Sequence, residues 1–116
     1  MIGRAPTVLT HALDPKGPGV VEEIFGWFES RRDRVARIIC GGAKHLKAFQ
    51  RHDCFEACLP DELPRDEGGS IPKGVLFGAR VYRSKSLEPN VIRVEGQAVD
   101  PERPFPLNVC EFTEKR

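Results

Sequence analysis

Val35-Ala36-Arg37-Ile38-Ile39-Cys40-Gly41-Gly42 is the stretch on which the fold turns. Its apolar residues fit either a continuation of the helical pattern before it or a short buried strand. The β-branched content and the glycine pair that follows favour the strand. A strand here separates two helical segments. Upstream, Val20, Val21, Ile24, Phe25 and Phe28 fall at helical spacings and make one apolar stripe. Glu22 and Glu23 sit in that helix's first turn, where carboxylates suit the positive end of the dipole. Downstream, Ala43 to His52 predicts a second helix, with Leu46 and Phe49 inward and Lys44, Lys47 and Arg51 outward.

The last third has the period of strands. Gly74 to Arg83 alternates, with Val75, Phe77, Ala79 and Val81 on one face. Val91 to Glu95 is a second strand with Ile92 and Val94 together. The loop Ser84 to Asn90 predicts that the two pair as an antiparallel hairpin, leaving Arg80, Tyr82, Arg93 and Glu95 on the other face. Gly78 within the first strand suggests a bulge. Leu107 to Phe112 is a further strand, with Cys110 and Phe112 sharing a face. The expected architecture is therefore α+β: two helices and a short strand in the first half, then an antiparallel hairpin and a further strand in the last third.

Residues 1–19 are expected to be an extended N-terminal arm, in which Val8 and Leu9 start a short strand and Asp14-Pro15-Lys16-Gly17-Pro18-Gly19 is turn punctuation. Residues 20–116 form one domain with an acidic, Pro- and Gly-rich surface loop at 59–73. The 116-residue chain has the size of one domain, and 40% hydrophobic with 30% charged residues is a globular balance. Ten prolines and eleven glycines predict many turns. A net charge of +1 argues against a dedicated nucleic-acid binder. No apolar run has the length of a membrane span, and none resembles a secretory signal. Four cysteines are too few for a disulfide scaffold, so reduced thiols in a cytosol-like, cytoplasmic compartment are expected.

Chemistry-bearing residues concentrate at Cys40, His45, His52, Cys54 and Cys58. Thiolates and imidazoles with short loops between them are what zinc takes, and Cys40, His45, Cys54 and Cys58 are the candidate ligands. The spacing has no Cys-x-x-Cys pair and matches no finger pattern, and buried cysteines beside surface histidines account for the same residues. Cys40 also ends a strand before two glycines and a helix, with His45 near, an arrangement that suits a reactive thiol. Charge is segregated: residues 31–51 hold seven basic side chains and one acid, and residues 53–67 hold six acids and one base. Arg31, Arg34, Arg37, Lys44, Lys47 and Arg51 are the candidate interaction surface, where opposite patches on neighbouring copies would set register. The paired acids Asp61-Glu62 and Asp66-Glu67 lie in the loop, without the burial that tunes a catalytic carboxyl. Gly17-Pro18-Gly19 has proline where a phosphate cradle needs a donor.

Residues 74–96 resemble a phrase of the major capsid proteins of tailed phages. There, a strand with a Leu-x-Gly-x-x-Val core leads to a Ser, a Leu-x-Pro turn and a strand ending near Gly. The matching positions are Leu76, Gly78, Val81, Ser84, Leu87, Pro89 and Gly96. Arg37-Ile38-Ile39-Cys40-Gly41 before a helix is similar to the strand and helix that precede that phrase. The resemblance implies a shell-forming structural protein of α+β fold without catalytic residues. A non-enzymatic protein that self-associates, or docks a protein partner, is the leading expectation; a metal- or thiol-dependent module is the alternative.

Overall fold

The computed structural model describes residues 8–57, 71–98 and 108–114. In chain order the elements are β1 (Val8–Leu13), α1 (Val20–Glu29), β2 (Asp33–Cys40), α2 (Ala43–Gln50), β3 (Phe55–Ala57), β4 (Ile71–Leu76), β5 (Ala79–Arg83), β6 (Val91–Ala98) and β7 (Asn108–Glu114). The strands form one mixed sheet of seven, in the order β1-β7-β6-β2-β5-β4-β3. This overturns the α+β expectation. The described residues make a mostly-sheet fold carrying two helices, and strands outnumber those read from the sequence.

The stretch quoted first is a strand, and it is the middle of the sheet. β2 runs parallel to β5 on one side and antiparallel to β6 on the other. The expected hairpin between Gly74–Arg83 and Val91–Glu95 therefore does not form, because β2 lies between its two arms. Gly74–Arg83 is also not one strand. It breaks at Phe77-Gly78, where both residues have positive φ (50° and 80°), and Leu76 pairs with Ala79. Two left-handed residues make the tight turn whose twist matches a hairpin. Ala79 and Val81 are buried together as expected, but the turn resets the alternation before them, so Leu76 joins them in the core and Phe77 is exposed. Gly78 serves the turn and not a bulge.

A bulge falls instead in β2. Val35 pairs with Gly96 and Arg37 with the next residue, Glu95, so Ala36 is the extra residue. It lets Asp33 and Val35 face inward before the bulge and Ile38 and Cys40 face inward after it. β1, part of the expected arm, joins the sheet as a strand parallel to β7.

β1, β2 and β3 all run the same way, and each step through a helix moves in the same direction across the sheet. Right-handed crossovers then place both helices on one face. Val21, Ile24 and Phe28 of α1 and Leu46 and Phe49 of α2 close over Ile38, Cys40, Val81, Ile92, Val94, Cys110 and Phe112 as one core. The apolar stripes read for both helices are thus the buried faces. An aromatic group seats α1: the Phe28 and Phe112 rings lie 6.3 Å apart, and Trp27 stands 4.7 Å from Phe28 and 5.8 Å from Phe112. The opposite face carries Ile39 and Tyr82, both buried, with Arg37, Arg80, Arg93 and Glu95 around them.

Among the described residues no helix is long and apolar enough to cross a membrane.

Candidate functional site

The sheet disperses the sulfur and imidazole group. Cys40 is fully buried at the end of β2, and burial pushes its thiol up to about 12. Such a thiol stays protonated at neutral pH, which removes the nucleophilic form. Cys110 on β7 is likewise buried, its thiol pushed up to about 11. Cys54 is exposed in the turn after α2, and its backbone N donates to His52 Nδ1 at 3.1 Å. Cys58, the fourth candidate zinc ligand, lies outside the described residues, as do Asp61, Glu62, Asp66 and Glu67. Among the described residues no three His, Cys, Asp or Glu side chains stand together as a metal would need.

Of that group, His45 lines a cavity. It sits in the first turn of α2, carried inward by the helix that the glycine pair starts, and is 3% exposed. Its Nε2 lies 3.4 Å from Glu114 Oε2 at the end of β7, while its Nδ1 is buried without a hydrogen-bond partner. Lys44 Nζ donates to the other Glu114 oxygen at 2.7 Å. That hydrogen bond, first among the causes, holds the Glu114 carboxyl below its ordinary value. The cavity, about 270 Å³, opens between this trio and the β1–α1 turn, with Leu13, Pro15, Val20 and Glu23 on its far wall. Glu23 fixes that wall: its carboxylate accepts from the Asp14 backbone N at 3.1 Å and lies 2.8 Å from His11 Nε2. His11 was not singled out by sequence, nor were Glu23's role and Glu114. Glu23 carried only a helix-dipole signal, and Glu114 none, because its partners are brought to it by sheet order alone.

Burial lowers the His45 pKa, outweighing the opposing pull of Glu114. The unfolded imidazole takes a proton below about pH 6.5, and the folded one only at lower pH. The unfolded state then binds more protons, so stability is full above that value and falls as pH drops. We expect chemical denaturation from about pH 8 to about pH 5 to show this loss, and His45→Leu to flatten it. An unchanged slope in the variant would assign the loss to other groups.

The six basic candidates do not form one surface. Lys44, Lys47 and Arg51 line the outer side of α2, all exposed. Arg31 leaves the end of α1 and lays its guanidinium over Trp27, 3.6 Å from the ring centre. Arg34 and Arg37 stand on the sheet face away from the helices, Arg37 bonded to Glu95. No family model, curated protein or solved structure matches the chain.

Proposed function

We propose that the chain is a non-enzymatic structural protein that self-associates through the β1 edge of its sheet, in a coat-type assembly. The observation that carries this is the edge itself. β1 is six residues long and pairs, among the described strands, with β7 alone. Its sequence, Val8-Leu9-Thr10-His11-Ala12-Leu13, has none of the lysines, prolines or acids with which monomeric proteins blunt an edge. Val8 and Leu9 are 44% and 41% exposed on it. A second copy meeting this strand about a twofold axis would pair the free backbone groups and cover both side chains. The opposite edge, β3, has three residues and offers far less. The likeness of residues 74–96 to tailed-phage major capsid proteins supports the same reading.

Sedimentation velocity over a concentration and salt series tests it. The wild-type chain is expected to sediment as a dimer or larger species. Val8→Lys with Leu9→Lys, which adds charge to the edge without touching the core, is expected to give a monomer. A wild-type chain that stays monomeric at high concentration and low salt would refute self-association. A double variant that still assembles would refute the β1 edge.

A further inference from the structure

A second concave region lies at the end of the sheet where β2 begins and β4 turns into β5. It is a cleft of about 560 Å³ between the β2 bulge and the β4–β5 turn, lined by residues 34–37 of β2 with Phe77, Gly78 and Arg80. The bulge creates it. Arg34 and Arg37 are three apart and would point to opposite faces of a regular strand. The extra residue Ala36 puts both on the same face, because Arg34 pairs with Gln97 and Arg37 with Glu95, two residues apart on β6. Arg80 then stands directly beside Arg37 across the parallel pairing of β2 with β5.

Like charges placed directly opposite disfavour a sheet. Glu95 answers Arg37 from the far side. Arg34 and Arg80 are exposed and form no ion pair with a described residue. Among the described residues no acid lines the cleft. At its mouth Phe77 is 53% exposed and holds φ 50°, a conformation that bulky side chains rarely adopt. Phe25 and His52 brace its ring, with centroids 5.3 and 5.1 Å away.

We propose that this cleft binds single-stranded nucleic acid, with phosphates on Arg34 and Arg80 and a base stacked on Phe77. Planar guanidinium groups fit phosphate oxygens in pairs, and an exposed aromatic ring takes any base. The near-neutral charge of the whole chain does not disclose the cleft, since a net charge says nothing of how charges are distributed. Its residues are separate from the β1 edge, so it stands or falls independently of the assembly.

Fluorescence anisotropy with a labelled oligothymidylate of about 12 nucleotides tests the proposal. Two phosphate contacts on a single strand predict a log–log salt slope of about −1.4. Arg34→Gln with Arg80→Gln should weaken binding about tenfold or more at low salt and bring the slope close to zero. Phe77→Asn, which suits the turn, should weaken it at least about fivefold and leave the slope unchanged. Arg51→Gln, on the outer side of α2, should change neither. Absence of wild-type binding at low salt would overturn the proposal. So would full affinity in the double arginine variant, or an equal loss in Arg51→Gln. Inorganic triphosphate binding without oligonucleotide binding would also overturn it.

Discussion

Gly41→Ala is expected to cost the chain about 3 kcal/mol or more, enough to unfold a marginally stable domain. The loop Ser84–Asn90 leaves β5, crosses over the end of β2 and enters β6. β2 exits beneath it through Gly41-Gly42. A Cβ on Gly41 would collide with the Glu88 carbonyl oxygen, and one on Gly42 with that of Pro89. Neither obstacle is a flexible side chain. The loop is pinned by Ser84 N donating to the Cys40 carbonyl, Gly41 N to that of Val91, and Val91 N to that of Glu88, each at 3.0 Å. Lifting it to admit a methyl group breaks bonds worth about 1 kcal/mol each and pulls on both neighbours of the central strand. Gly42→Ala should behave likewise. Gly26→Ala is the contrast, since its Cβ would meet open space on an exposed helix position. It should gain up to about 1 kcal/mol. Urea denaturation followed by circular dichroism distinguishes them. Equal stability of Gly41→Ala and Gly26→Ala would remove the crossing from the account.

That crossing also explains what the sequence disclosed and what it hid. Local periodicity was readable: the stripe through Val21, Ile24 and Phe28, the pair Leu46 and Phe49, and the alternation of Ile92 with Val94 are all buried as their spacing implies. β2 was readable from its β-branched residues and its terminal glycines. Pairing was not. A seven-residue loop closes a hairpin or steps over one strand with equal ease, since two strand spacings are only about 10 Å. The local pattern of Ser84–Asn90 cannot choose. Phe77-Gly78 concealed a two-residue turn because phenylalanine is a poor occupant of a left-handed position, where asparagine would have announced it. β1 and β7 are neighbours through a parallel pairing of opposite chain ends, which no local signal carries. The sites followed the same rule. Residue type marked Cys40 and His45, but the burial that silences the one and the Glu114 that faces the other depend on strand order. The arginine cleft needs the bulge at Ala36, and nothing about an alanine foretells a bulge.

Gly96→Ala should destabilise the chain by about 1–3 kcal/mol, and the effect should shrink when Phe28 is truncated. Gly96 on β6 is where α1 comes closest to the sheet. A Cβ there would strike the Phe28 ring, with Cε1 at 2.5 Å, and the side chain of Asp33 lies at 3.4 Å. Phe28 is 0% exposed, and its ring is held by Trp27 on one side and Phe112 beyond, so it has no vacant rotamer to move into. Phe28→Ala alone should cost about 3–5 kcal/mol, the loss of a fully buried aromatic plus the cavity it leaves. The double variant places a methyl group where the ring edge had been. Clash and cavity then offset one another, and the combined cost should fall below the sum by about 0.5–3 kcal/mol. Strict additivity in denaturant titrations would mean that α1 does not rest on β6 at this glycine. Coupling would instead mark Gly96 as the contact that sets how closely α1 can approach the sheet, and with it the position of Glu23, one helical face away at the cavity beside His45.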